Sequence, residues 1–183
     1  MPKFLCTFTV PGPAEDMLRE VGELEVIEGI SPEDFDAAVS GGEYDAVIQQ
    51  LSQKVDADLM SRAKVKGFAN FGVGFNNFDV AAMAQAGVQG TNAPDVLTET
   101  TADFGFALLM ATARRVTESE HYLRAGRWTK WSYDMFAGAE VHGSTLGIIG
   151  MGRIGQGIAR RGAHGFGMKV IYHNRSRLAP ALE

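Results

Sequence analysis

Gly150, Gly152 and Gly155 stand in the spacing G-x-G-x-x-G, after an apolar run and ahead of a stretch that reads as a helix. Glycines so spaced can do anion chemistry. Gly150 permits a tight turn, Gly152 lets the backbone approach a pyrophosphate, and Gly155 lets the helix pack close to the preceding strand. Free N–H groups and the positive dipole end at the helix start then hold the phosphates. The flanks support this reading over a plain structural turn. Thr145 to Ile149 is apolar, Gln156 to Arg161 reads helical, and Met168 to Tyr172 is a second apolar run. Strand, glycine turn, helix, strand is the order of a dinucleotide-binding fold.

A chain suited to NAD places Asp or Glu about 20 residues past such a motif, against the ribose 2′-hydroxyl. Here the corresponding residues are Asn174, Arg175, Ser176 and Arg177. No carboxylate stands there to repel a 2′-phosphate, and two guanidiniums and a hydroxyl can bind one. The bland alternative is a solvated basic loop. NADP is therefore the favoured cofactor and NAD the alternative.

The elements around these residues alternate. Lys3 to Val10 reads as a strand and Pro13 to Val21 as a helix with proline near its start. Leu24 to Ile27 is strand-like, and Pro32 to Val39 is helical after a Ser31 cap. Strands at Ala46 to Gln49, Val65 to Asn70 and Gly87 to Thr91 enclose helices at Asp56 to Ala63 and Asn77 to Ala86. This βα alternation predicts a parallel sheet with helices on both faces. One long helix is expected from Thr98, as N-cap, to Arg124, with Gly126 ending it. Its apolar stretch Ala102 to Ala113 calls for burial between domains or subunits. The predicted class is α/β: a flavodoxin-like parallel-sheet domain over 1–97, a long inter-domain helix over 98–126, and the first βαβ unit of a Rossmann domain over 127–183.

Composition sets outer limits. With 183 residues, 45% hydrophobic and 21% charged, the chain is an ordinary globular sequence with room for a core. A net charge of −5 argues against nucleic acid as the main partner. The single Cys6 leaves no disulfide framework, and no metal site is expected. No apolar run reaches the roughly 18 residues of a membrane span. The first residues, Met1 to Cys6, do not read as a signal peptide, so a cytoplasmic location is expected.

Several segments together resemble the D-2-hydroxyacid dehydrogenases, in particular their glyoxylate/hydroxypyruvate reductase branch. The carriers are Asn70-Phe71-Gly72-Val73-Gly74-Phe75-Asn76-Asn77-Phe78-Asp79, Thr91 to Asp103, Ala113-Arg114-Arg115, Gly126-Arg127-Trp128, and Gly150 to Gly155. The resemblance implies that Gly72, Val73 and Gly74 form the loop whose N–H groups hold a 2-oxo acid carboxylate. Small residues suit such an anion nest, although alone they read as a strand-to-helix connection. It implies that Thr100 and Thr101 lie beside the nicotinamide half of the cofactor. It further implies that Met151, Gly152, Arg153 and Ile154 contact the phosphates, and that Asn174, Arg175 and Ser176 surround the adenosine ribose. A homodimer built around the cofactor domain is implied as well.

The departures are informative. The family's catalytic arginine, glutamate and histidine come later than Glu183, and no residue here takes their place by position. His121, His142, His164 and His173 are expected to be surface or packing residues. The chain alone is accordingly expected to be inert or nearly so, and its two-strand cofactor sheet to need cover from further chain or a partner. Arg160 to Gly165 is one residue longer than the family pattern, which leaves the register of the next strand open. The competing function is a non-catalytic dinucleotide-binding or interaction module. Asp95 and Glu99 as a hydrolytic acid pair is a third reading, and helix-start electrostatics accounts for them without it.

Overall fold

Leu5 and Cys6 are neighbours on the first strand, yet they enter different cores on opposite faces of one sheet. That alternation is the signature of a strand buried on both sides, as parallel sheets require. The chain is described by a computed structural model over residues 1–182. It divides into two units, Met1–Pro94 and the remainder from Asp95.

The first unit contains β1 (Lys3–Cys6), α1 (Ala14–Val21), β2 (Glu23–Val26), α2 (Pro32–Gly41), β3 (Ala46–Gln49), α3 (Ala57–Met60), β4 (Gly67–Asn70), α4 (Val80–Ala86) and β5 (Gln89–Thr91). The strands pair in parallel in the order β2-β1-β3-β4-β5. This is the flavodoxin-like winding, which turns back at β1/β3 and gathers its loops at the carboxyl ends of the strands. Phe35 and Val39 of α2, Leu59 and Met60 of α3 and Met83 of α4 cover one face together with Val47 and Phe68. Ala14 and Leu18 of α1 pack on the other, against Cys6 and Leu24. The expected cap at Ser31 is present, accepting from Asp34 N–H at 3.1 Å, and Asp56, expected inside its helix, is instead the cap of α3, accepting from Leu59 N–H at 3.0 Å. The first strand is shorter than expected. It stops at Cys6 because its partners β2 and β3 end at Val26 and Gln49.

The second unit contains α5 (Thr98–Ala113), α6 (Val116–Arg124), β6 (Thr145–Ile149), α7 (Arg153–Arg160) and β7 (Lys169–His173). The single helix expected over 98–126 is two helices. Arg115 adopts a left-handed backbone, φ 54°, and starts α6 rather than continuing α5. Its guanidinium forks onto Glu118 with two 2.7 Å bonds and lies 5.3 Å from the Phe136 ring centre. The break also frees the Ala113 carbonyl, which accepts from Ala139 N–H at 2.9 Å. These contacts offset the backbone strain. Thr98 is likewise the first helical residue and not the cap; Leu97 precedes it without a side-chain bond.

Strands β6 and β7 pair in parallel from Thr145↔Lys169 to Ile149↔His173. A π-helical turn over Arg161–Gly165 continues α7, and its wider coil takes in one residue more than an α-helical turn before β7. Leu146, Ile148 and Val170 pack with Leu109 and Met110 of α5 and Ile158 of α7. On α5 only Ala102 and Phe106 are buried; Phe104 is 64% and Leu108 52% exposed. Among the described residues no helix is long and apolar enough to cross a membrane.

Candidate functional site

The glycine turn has the geometry its spacing demands. Gly150 takes φ +94°, a conformation closed to most side chains, and its N–H donates to the His173 carbonyl at 2.9 Å. A Cβ on Gly155 would run into the Gly150 carbonyl oxygen, so helix and strand meet there backbone to backbone. Gly152 is different: nothing lies within 4 Å of where its Cβ would be. The space in front of it is open, and α7 begins there with no side chain capping its first N–H groups. An eight-residue helix thus presents bare donors and its positive end beside a glycine that lets a ligand approach.

The other residues of this turn divide. Met151 is 4% exposed, so it can serve a phosphate only through its main chain; Gln156 fixes its carbonyl at 3.3 Å. Arg153 is exposed and pairs with Asp95 at 2.7 Å. Glu99 faces Arg160 and Arg161, and Asp103 faces Arg161. Asp95 and Glu99 are thus engaged by arginines of the same unit, which accounts for both without hydrolytic chemistry. Thr101 sits half-buried on the first turn of α5, and Thr100 beside it is exposed.

Past β7, Asn174 folds back on its own loop, its Nδ2 donating to the Ser176 carbonyl at 3.0 Å. Arg175 and Ser176 are exposed. A neighbouring cavity of about 630 Å³ is lined by Gln156, Arg160, His164, Tyr172 and Arg177 among others, and by no carboxylate among the described residues. An open glycine, uncapped helix donors and a cationic, carboxylate-free loop fit a nicotinamide dinucleotide.

In the first unit, Phe71 to Asn76 leave the carboxyl end of β4 as a loop in which the four successive carbonyls of Gly72 to Phe75 are engaged by protein. Gly72 O accepts from Ala93 N–H at 2.8 Å, Val73 O from Asn92 Nδ2 at 2.7 Å, Gly74 O from Asn70 Nδ2 at 3.1 Å and Phe75 O from Phe78 N–H at 3.0 Å. The Val73 and Gly74 N–H groups meet no acceptor among the described residues. The Gly72 N–H, by contrast, donates to the Asn70 carbonyl at 3.0 Å, so of the three expected donors only Val73 and Gly74 are left to bind an anion. Leu51 lies against the loop, with Cδ2 only 2.7 Å from where a Gly74 Cβ would stand.

Sequence reasoning found the loop but missed what anchors it. Gln49, Asn70, Asn77 and Asn92 carry the anchoring amides. A polar residue closing each of the apolar strands β3 and β4 was the available signal.

Comparison with known proteins agrees with these geometries. The family described as D-isomer specific 2-hydroxyacid dehydrogenase, NAD binding domain, matches residues 106–183. A glyoxylate reductase of Thermococcus onnurineus is 45% identical over 184 residues, covering 96% of this chain and 54% of that protein. One from Aeropyrum pernix is 41% identical, with 96% and 54% covered. A crystal structure of a Thermus thermophilus protein superposes with TM-score 0.88 at 40% identity, covering 97% of this chain and 58% of that one. A glyoxylate reductase from Paecilomyes thermophila gives 0.83 at 31% identity, covering 99% and 58%. The chain therefore spans about half the length of the relatives it matches. Over residues 106–183 the chain thus matches the D-isomer specific 2-hydroxyacid dehydrogenase family, NAD binding domain, and over nearly all its length it is similar to glyoxylate reductases.

Proposed function

We propose that this chain serves an NADP-preferring reductase that converts a small 2-oxo acid, of the glyoxylate or hydroxypyruvate kind, to the D-2-hydroxy acid. The observation that carries this reading is the Gly72–Gly74 loop, whose carbonyls are held and whose Val73 and Gly74 N–H groups are free, in a chain that also holds a dinucleotide turn. The nicotinamide ring, when bound, supplies the hydride to the 2-oxo carbon. Val73 and Gly74 N–H groups hold the carboxylate and so fix which carbon is presented. Gly152, Arg153 and Ile154 hold the pyrophosphate, Gly150 and Gly155 shape the turn that presents them, and Met151 contributes main chain only. Thr101 lies beside the nicotinamide half. Asn174, Arg175 and Ser176 receive the adenosine ribose, where a 2′-phosphate meets positive charge and no carboxylate. No histidine of this chain is assigned the proton; the relatives' greater length leaves room for that group elsewhere.

Selectivity for small acids is consistent with Leu51 covering the loop at close range. The exposed Phe104 and Leu108 on α5 support association of two copies. Titration calorimetry of the chain with NADPH and NADH, followed by NADPH oxidation with glyoxylate and hydroxypyruvate in the protein that carries it, tests the reading. Tighter binding of NADPH and turnover of both acids are expected. Dinucleotide binding without turnover of any 2-oxo acid in that protein would favour a non-catalytic cofactor module instead.

A further inference from the structure

The Val73 and Gly74 N–H groups, without an acceptor among the described residues, belong to peptides held from one short segment. The Val73 N–H shares its peptide with the Gly72 carbonyl, which accepts from Ala93 N–H at 2.8 Å. The Gly74 N–H shares its peptide with the Val73 carbonyl, which accepts from Asn92 Nδ2 at 2.7 Å. In a planar trans peptide the N–H points opposite to its C=O. Rotation about the C=O axis leaves that direction unchanged, so one bond to the oxygen is enough to aim the hydrogen. Both carbonyls reach toward Asn92 and Ala93, and both N–H groups point away from that segment. Successive N–H groups on one side of a turn make the concavity that takes an anion.

The sheet brings the segment to the loop. Strands β4 and β5 pair in parallel up to Ala69↔Thr91, so the residues after Thr91 run out beside those after Asn70. Pro94 follows, and a proline keeps the residue before it extended, which limits the motion of Ala93. Asn92 is partly buried, and its amide can face one way only: reversed, its oxygen would meet the Val73 carbonyl. Ala93 makes its bond with main chain, as any residue but proline can. The bond to Val73 depends on one side chain.

We propose that Asn92 is a positioning residue that aims the Gly74 N–H at the substrate carboxylate, beside the Val73 N–H aimed through Ala93. The proposal rests on the loop reading given under Proposed function. Asn92 stands behind the Val73–Gly74 peptide, on the side from which the N–H points away, and acts through it. Without that bond the peptide must be ordered when the anion binds, and affinity falls by the cost of ordering it. Asn70, which holds the Gly74 carbonyl, fixes the next peptide along.

The test uses the full chain and oxamate, a non-reacting analogue of a 2-oxo acid. Asn92→Leu keeps the approximate shape of the side chain without its donor, and Asn92→Ala removes both; neither adds charge near the loop. Phe75, Phe78, Val80 and Met83 line a cavity that Asn92 also borders, so an apolar side chain there has apolar neighbours. If the leucine variant does not melt cooperatively, the alanine variant decides alone. NMR reads amide mobility at Val73 and Gly74 without ligand, and the shift of both amides as oxamate is added. Gly74 should gain mobility while Val73, still held by Ala93, stays close to the wild type. Oxamate affinity should fall about three- to tenfold. Equal gains in mobility at the two amides, no gain at Gly74, or a gain at Gly74 with unchanged affinity would each overturn the proposal. If oxamate leaves the wild-type Val73 and Gly74 amides unmoved, it is the carboxylate reading of the loop that fails. The contrast in mobility between Gly74 and Val73 then judges by itself whether Asn92 directs that N–H, its presence upholding the role and its absence overturning it.

Discussion

Gly155 lies directly against the carbonyl oxygen of Gly150, with no room for a methyl group between them. Two glycines of one motif thereby answer to different demands from Gly152, which faces open space. Gly155→Ala should destabilise the second unit by about 1–3 kcal/mol, the usual range for overpacking. Gly152→Ala should change stability by less than about 1 kcal/mol while weakening dinucleotide binding roughly tenfold or more, by blocking close approach. Denaturant unfolding followed by fluorescence separates the two, since both tryptophans, Trp128 and Trp131, belong to the second unit. Equal stability losses would show that both glycines serve the fold only.

Cofactor choice should turn on the loop after β7. Arg175→Ala removes one charge-assisted bond to a 2′-phosphate, about 1.5–3 kcal/mol, and should weaken NADPH roughly ten- to hundredfold with NADH little changed. Asn174→Asp should move preference toward NADH, because the new carboxylate repels the phosphate and accepts from the free ribose hydroxyl. Dissociation constants for both cofactors and both variants check this; parallel losses for NADPH and NADH would point to a supporting role in the fold.

Arg115 holds a left-handed backbone while its side chain clasps Glu118 and covers Phe136. Arg115→Ala keeps the strain and loses the contacts, so it should lower the urea midpoint of the second unit. Arg115→Gly loses the same contacts but relieves the backbone, and should recover about half of that loss. Urea midpoints in the order wild type, glycine, alanine are expected. An alanine variant as stable as the wild type would mean the break between α5 and α6 is set by other residues.

Acid should act mainly on the first unit. A hydrogen bond from Arg62 holds the Asp36 carboxyl below its usual range, Lys66 does the same for Asp45, Lys3 for Glu25, and the Leu59 N–H for Asp56. A carboxylate whose folded pKa is depressed adds stability that is complete above the unfolded value near pH 4 and is lost as pH falls through the folded one. Asp36→Asn should therefore lower the melting temperature at neutral pH, and the difference should shrink as pH falls from about 4 through the depressed folded value. Tyr44 gives the alkaline counterpart. Burial, aided by its bond to Glu25, pushes its phenol up to about 12. Its contribution is complete below about pH 10 and lost as pH rises from there toward the folded value. Absorbance titration should show a late phenol that Tyr44→Phe removes. A gap between Asp36→Asn and wild type that is as wide in acid as at neutral pH, or no late phenol lost in Tyr44→Phe, would contradict these assignments.

Much of the architecture was legible because local signals and long-range order agreed. Ser31 before Pro32 announces a helix, and Ala46 to Gln49 forms the strand that its apolar run predicts. The glycine motif was legible because steric demands on Gly150 and Gly155 are local. The break at Arg115 was not, since arginine is a good helix former and the contacts that hold it, to Phe136 and through Ala139, come from more than twenty residues away. The early end of β1 was hidden for a similar reason: Thr7 to Val10 favours a strand, but its neighbours have already ended. Gln49 and Asn70 lie 21 residues apart and become partners only once β3 and β4 are aligned. Residue type alone could not announce them as a pair.

The π-helical turn at Arg161–Gly165 has a consequence for how this sequence tolerates change in length. The wider coil stores one residue of slack before β7, so β7 still meets β6 in step from Thr145↔Lys169 to Ile149↔His173. Had the surplus passed into the strand, every side chain of β7 would have swapped faces, exposing Val170 and turning Ile171 inward. The helix end thus works as a buffer between two parts that must each keep their place: the glycine turn ahead of it and the basic loop beyond.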